Sequence, residues 1–143
     1  MRRFLTAALV FCVVAIVFVG APAAEESGGQ RVIPINVRIS CSGESTFNGQ
    51  PLTPNSSVRL SKSGGDTVNF SLVSNSDVDT VTVEPKEGQA WPFTDAPPSF
   101  GRGRDRGTGS IRADIGPGSY AYSIVFNCGG TRTVIDPKMD IDG

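Results

Sequence analysis

Histidine is absent from all 143 residues of the chain. Histidine is the side chain most used for acid–base catalysis near neutral pH and a common ligand for zinc and copper, so its absence removes Ser–His and Cys–His nucleophilic chemistry. The sequence also lacks the Gly-x-Ser-x-Gly motif of serine hydrolases. It lacks a dinucleotide-binding motif as well, because Gly101-x-Gly103 is followed by Arg106 where that motif needs its third glycine. These absences predict a non-catalytic protein, not an enzyme, that carries no cofactor.

A strong charge of either sign is lacking as well. The chain has 13 basic and 14 acidic residues, a formal net charge of −1, which becomes −3 when Arg2 and Arg3 are removed with a signal peptide. Such a weakly acidic protein creates no field that attracts nucleic acid, so we expect no nucleic-acid partner. Stretches rich in Ala, Leu, Glu and Lys are missing after the N-terminal segment, which argues against helices there.

The N-terminal segment has the features of an export signal. Arg2 and Arg3 precede an apolar run over residues 4–20, and the small residues Ala-Pro-Ala follow at 21–23. This pattern predicts cleavage after Ala23, which makes residues 1–23 a signal peptide and the mature protein periplasmic or extracellular, with no membrane contact after cleavage. The apolar run is also long enough for retention as an anchor, and that alternative stays open.

The mature chain has the composition of short strands joined by tight turns, with 17 Gly and 10 Pro in the full sequence. Residues 24–31 are polar and predict a flexible leader, while residues 32–143 contain alternating apolar runs typical of half-buried strands. Runs 67–73 and 78–84 are predicted to form a hairpin, and 110–115 another strand. The pattern predicts an all-β protein, a single antiparallel β-sandwich.

Two cysteines remain after the signal, because Cys12 lies inside its apolar run. Cys41 and Cys128 each follow an alternating segment and fall on its inward-facing side. Two inward cysteines in an oxidising compartment predict a disulfide, which would stabilise the fold by about 4–5 kcal/mol in the chain-entropy model. Two separate buried thiols are the alternative.

The C-terminal third resembles a known family. The segment Pro117-Gly118-x-Tyr120-x-Tyr122, which runs on to Cys128, is similar to the last hairpin of cupredoxin-like domains. The resemblance implies a Greek-key sandwich; an immunoglobulin-like topology is the alternative. A type-1 copper site needs two histidines and a cysteine. Here Ile124 stands where the family's copper cysteine would be, so the resemblance implies the fold without any metal ligand.

One segment combines length, clustered arginines and aromatic residues. Guanidinium groups beside aromatic side chains suit carboxylate, sulfate or phosphate groups, or the acidic face of a protein. We therefore expect an unknown protein or an anionic ligand to bind at the loop formed by residues 91–106. The alternative is a solvated loop whose aromatics cap one end of the sandwich. The predicted contact residues are Trp91, Phe100, Arg102, Arg104 and Arg106.

These observations predict an exported β-sandwich that acts as a non-catalytic binding or structural module. Two other functions stay open. The carboxylate pairs Asp77/Asp79 and Asp140/Asp142 each share a strand face, which suits calcium or carboxylate-based catalysis. Met139, together with carboxylates, suits atypical copper handling.

Overall fold

The structure is a computed structural model that describes residues 29–143, so the predicted signal peptide lies outside the described residues. Within 29–143 the chain forms eleven strands and no helix. Their bounds are β1 Val32–Arg38, β2 Thr46–Phe47, β3 Gln50–Pro51, β4 Ser57–Ser61, β5 Thr67–Leu72, β6 Thr80–Pro85, β7 Ser99–Gly101, β8 Arg106–Gly107, β9 Gly118–Cys128, β10 Thr131–Ile135 and β11 Lys138–Asp142.

The strands form two packed sheets. The first has the order β3-β2-β1-β5-β8, and the second has the order β4-β11-β9-β6-β7 with β10 also paired to β9. A single cluster of apolar side chains fills the space between the two sheets. The prediction of an all-β sandwich is confirmed. The largest of its fully buried side chains are Tyr122, Phe70, Phe93, Phe100, Ile35, Ile39 and Leu60.

Alternation in the sequence decides which side chains enter the core. In β5 the residues Val68, Phe70 and Leu72 are buried, while the residues between them are only partly covered. In β6 the buried residues are Val81 and Val83. Because successive strand side chains point to opposite faces, each apolar series lies on the face that packs against the other sheet.

The predicted hairpin between residues 67–73 and 78–84 is wrong. β5 pairs with β1 and β8 in the first sheet, whereas β6 pairs with β7 and β9 in the second. The intervening segment crosses between the sheets and is held by side chains: Ser76 Oγ accepts from the Ile39 amide at 3.2 Å, and Asp77 accepts from the Cys41 amide at 2.7 Å. Alternation determines the face that a strand buries but not its partner strand.

The sheets are mixed rather than purely antiparallel. β1 runs parallel to β5, and β4 runs parallel to β11, while the other strand pairs are antiparallel. Residues 110–115, predicted as a strand, form no named strand; Ile111 makes only an isolated bridge to Phe93. Ile111 and Ile115 are nevertheless buried. The apolar residues with which this loop packs on the core therefore give a sequence pattern that is also typical of a strand.

Two contacts tie distant parts of the chain together. The predicted Cys41–Cys128 disulfide is confirmed; it joins the residues after β1 to the end of β9 across 87 positions, with a Cα–Cα distance of 5.5 Å. At the other end of β1, Arg31 donates from Nε to Asp66 Oδ1 at 3.0 Å. Asp66 is fully buried, so the chain is fixed to the sandwich at the last residue of the predicted leader.

Candidate anion-binding pocket

The predicted contact loop lies where the edges of the two sheets meet. β7 is the edge strand of the second sheet and β8 is the edge strand of the first. The chain passes from β7 to β8 through a tight turn, in which the Arg104 amide donates to the Gly101 carbonyl at 3.0 Å. Both arginines of this turn, and the one that opens β8, are therefore held at one side of the sandwich.

Two glycines make this turn possible. Gly103 has a φ of +65°, a conformation that residues with a Cβ adopt at a cost. A Cβ at Gly101 would lie 2.7 Å from the carbonyl oxygen of Asp79, which is too close for any other residue without a backbone shift. Glycine at both positions lets the turn fold back closely on the start of β6.

The three predicted arginines line one pocket. The pocket has a volume of about 450 Å³. Because β6 pairs with β7, hydroxyl groups and a carboxylate line the same pocket as the guanidinium groups. The lining residues are Asp79, Thr80, Ser99, Phe100, Gly101, Arg102, Arg104 and Arg106.

The arginines differ in their contacts. Arg102 Nη2 donates to Asp79 Oδ1 at 2.8 Å, and Arg102 Nε donates to the Val78 carbonyl at 3.3 Å. Arg104 and Arg106 are exposed, and their side chains make no ion pair or hydrogen bond with any part of the chain that the structure describes. Three cations and one anion leave the pocket with a net charge of about +2, on a protein that is acidic as a whole.

The two predicted aromatic contact residues, Trp91 and Phe100, lie in the core, although Phe100 also lines the pocket. Trp91 and Phe100 are only 8% and 1% exposed. Trp91 packs edge-to-face on Phe93 with ring centroids 5.3 Å apart, and Phe100 stacks on Phe70 at 5.4 Å. Aromatic side chains bury more apolar area than most others, so the sandwich uses them as core residues and leaves a polar pocket.

Four residues that line the pocket, Asp79, Thr80, Ser99 and Gly101, are not among the contact residues predicted from the sequence. Asp79 and Thr80 lie more than twenty positions before the arginines, and Ser99 lies in a segment without strand alternation. Their proximity follows from the pairing of β6 with β7, in which Thr80 lies opposite Gly101 and Thr82 opposite Ser99. The sequence alone does not predict this proximity, because it depends on which strands pair.

The predicted alternative metal sites have other contacts. Asp77 accepts a hydrogen bond from the Cys41 amide, Asp79 pairs with Arg102, and Asp142 lies 3.8 Å from Arg59. Met139 is completely buried in the core. Among residues 29–143, no group of three or more His, Cys, Asp or Glu side chains is arranged to hold a metal ion.

Strand β9 carries two tyrosines with different surroundings. Tyr120 donates from its hydroxyl to the Gly116 carbonyl at 2.8 Å, which ties the strand to the preceding turn. Tyr122 is buried between the sheets, and its hydroxyl has no hydrogen-bond partner in the described part of the chain. Burial raises the pKa of Tyr122 above its ordinary value.

No protein-family model matches the sequence, and no curated protein matches it significantly. Residues 29–143 contain no helix that is long and apolar enough to cross a membrane.

Proposed function

We propose that the chain is an exported, non-catalytic β-sandwich module that binds an anionic group of a partner in the pocket between β7 and β8. The observation that carries this proposal is the pair of exposed guanidinium groups on Arg104 and Arg106, beside hydroxyls and without anionic partners among the described residues. Planar guanidinium groups form paired hydrogen bonds with carboxylate, sulfate and phosphate oxygens.

The contrast with the rest of the molecule supports this proposal. Four other arginines pair with a carboxylate of the same chain, namely Arg31, Arg59, Arg112 and Arg132. Arg104 and Arg106 thus give the pocket positive charge that is not paired with any carboxylate of residues 29–143. Since the protein has a formal net charge of −1, attraction of an anion to this face depends on local charge rather than on the overall field.

Export and the cupredoxin-like relationship belong to the same proposal. The disulfide supports an oxidising compartment, since such bridges persist mainly outside the cytosol. The strand from Gly118 to Cys128 supports the cupredoxin-like resemblance, and Ile124, which replaces the family's copper cysteine, is fully buried in the core. We therefore infer a cupredoxin-like sandwich that has no type-1 copper and has its binding site on the sheet edges.

The test is retention on two immobilised polyanions, heparin and poly-L-glutamate. We expect the double variant Arg104→Ser/Arg106→Ser to bind at least about tenfold more weakly than wild type, because two charge-assisted contacts are lost. The matched control is Arg59→Ser/Arg132→Ser, which removes the same charge from other sites and should bind like wild type. Added salt should weaken wild-type binding. Equal losses in both double variants would overturn the proposal.

A further inference from the structure

The pocket also contains an unpaired backbone edge. β7 pairs with β6 on one side, and on its other side Arg102, directly after β7, makes an isolated parallel bridge to Leu72 of β5, so among the described residues the unpaired part of this edge is at Ser99. The Val83 amide donates to the Pro98 carbonyl at 2.9 Å, which identifies Val83 and Pro98 as a hydrogen-bonded pair. In an antiparallel ladder such pairs alternate with non-hydrogen-bonded pairs, so Thr82 and Ser99 form the next, non-hydrogen-bonded pair.

The backbone of Ser99 therefore points away from β6. In a non-hydrogen-bonded pair the amide and carbonyl of each residue face away from the partner strand, and on that side of Ser99 no strand of residues 29–143 is paired with it. The close approach of the Ser99 and Thr82 hydroxyl oxygens, 2.9 Å apart, agrees with this pairing, because side chains are closest in such pairs. Ser99 is exposed and lines the pocket.

We infer that the anionic partner is an acidic polypeptide segment that adds to the edge of β7 in an extended conformation, an inference that rests on the function proposed above. Ser99 supplies one backbone donor and one acceptor, as in binding by strand addition. Carboxylates at alternate positions of the segment then reach Arg104 and Arg106. The positive charge of the pocket selects acidic segments and disfavours pairing between two copies of this edge.

The inference distinguishes a peptide from other polyanions. A sulfated polysaccharide can satisfy the guanidinium groups but has no amide ladder to pair with Ser99. The probes are therefore a heptapeptide of alternating Thr and Glu with blocked ends, the same peptide with every amide nitrogen methylated, and heparin. The two peptides carry the same charge, and only the unmethylated one can donate a hydrogen bond to the Ser99 carbonyl.

The protein variants are Ser99→Pro, which removes the outward amide, and Ser99→Ala, which removes only the hydroxyl. Proline is tolerated on edge strands where its missing donor would face solvent. We expect Ser99→Pro to bind the heptapeptide about three- to tenfold more weakly, the range for one lost hydrogen bond, and to lose less affinity for heparin, which has no amide to pair with Ser99. Ser99→Ala keeps the Ser99 amide and should therefore bind the heptapeptide more tightly than Ser99→Pro does, and wild type should bind the methylated peptide about three- to tenfold more weakly than the unmethylated one.

Hydrogen exchange gives a direct measurement. The Ser99 amide of wild type should exchange more slowly when the heptapeptide is bound and at an unchanged rate when heparin is bound. Equal affinity of wild type for the two peptides, or retention of heparin without any binding of the heptapeptide, would overturn strand addition while leaving the arginine pocket in place. Loss of the arginines without effect on either probe would instead overturn the proposed function. If Ser99→Pro does not fold, the two peptides decide the question.

Discussion

Two aspartates of this protein each pair with an arginine, and their surroundings differ completely. The Asp66 side chain is 0% exposed and that of Asp79 is 91% exposed, although both accept hydrogen bonds from guanidinium groups. A buried carboxylate depends on its partners because water cannot replace them, whereas an exposed one exchanges a partner for water at little cost. The same pair of residue types therefore stabilises the fold in one place and adjusts the charge of a binding pocket in the other.

The partners of Asp66 connect three parts of the chain. Its carboxylate accepts from Arg31, which precedes β1, and from the Ser61 amide at the end of β4 at 2.8 Å. The hydrogen bond from Arg31 keeps the pKa of Asp66 below its ordinary value despite burial, which acts in the opposite direction. Asp66 thus stays ionised and holds the segment between β4 and β5 in place.

The largest effect is expected for Asp66→Asn. The variant keeps the shape of the side chain but loses its charge, and one of its atoms becomes a donor that faces Arg31 or the Ser61 amide. We expect the free energy of unfolding to fall by about 1–3 kcal/mol, the range for a buried polar group deprived of its partner. Urea denaturation of the oxidised protein measures this. A loss no larger than that of Asp79→Asn would show that burial of Asp66 has no energetic consequence.

The pH dependence of stability sharpens the same contrast. A carboxylate whose pKa is lowered by folding stabilises the native state above the unfolded pKa of about 3.9, and that contribution is lost as the pH falls through the lower folded pKa. Wild type should therefore lose stability below about pH 4 more steeply than Asp66→Asn. Asp114 and Asp136 also have lowered pKa values, through Arg112 and through Lys86 with Ser123, so a smaller slope remains in the variant. Parallel acid profiles of the two proteins would contradict this account.

Tyr122 tests whether partners, rather than burial alone, make Asp66 stabilising. The Tyr122 hydroxyl is about as deeply buried as the Asp66 carboxylate, but it has no hydrogen-bond partner among residues 29–143. We expect Tyr122→Phe to leave stability unchanged or to raise it by about 1 kcal/mol, because the ring contacts with Phe70 and Trp91 remain while an unsatisfied hydroxyl is removed. Thermal unfolding provides the measurement. A destabilisation above about 1 kcal/mol would mean that the hydroxyl bonds to a buried water.

These polar contacts also mark how far the sequence predicts the structure. Alternation around Phe70 and Val81 correctly predicts two buried strand faces, because the period of two depends only on the backbone. It does not predict that the two strands belong to different sheets, since strand pairing depends on the whole chain. Asp66 looks in the sequence like an ordinary turn residue after Gly64-Gly65, and nothing local indicates that Arg31 will cover it.

The candidate site shows the same division between local and long-range information. Arginines at 102, 104 and 106 are visible as a cluster in the sequence, and the structure places all three around one pocket. Proximity in the sequence predicts that the aromatic residues of the segment share this surface, yet Trp91 and Phe100 are buried in the core, and only Phe100 also lines the pocket. Asp79 joins the pocket only through the pairing of β6 with β7, which no nearby residue predicts.

The smallest effect on stability, and the most informative one for binding, is expected for Asp79→Asn. Its ion pair with Arg102 is exposed, so the free energy of unfolding should change by less than about 1 kcal/mol. Removal of the carboxylate raises the charge of the pocket by one and leaves three guanidinium groups available to the ligand. Poly-L-glutamate should therefore bind to Asp79→Asn about three- to tenfold more tightly than to wild type at low salt, and its binding to the variant should depend more steeply on salt.

The direction of this change separates two roles of Asp79. Tighter binding would show that Asp79 competes with the ligand for Arg102. Weaker binding would show that Asp79 instead orients Arg102, whose Nε also donates to the Val78 carbonyl. The matched control is Asp140→Asn, which removes one negative charge from β11 outside the pocket and should leave binding unchanged. A gain of equal size in Asp140→Asn would attribute the effect to overall charge, and the contrast between Asp66 and Asp79 would then concern stability alone.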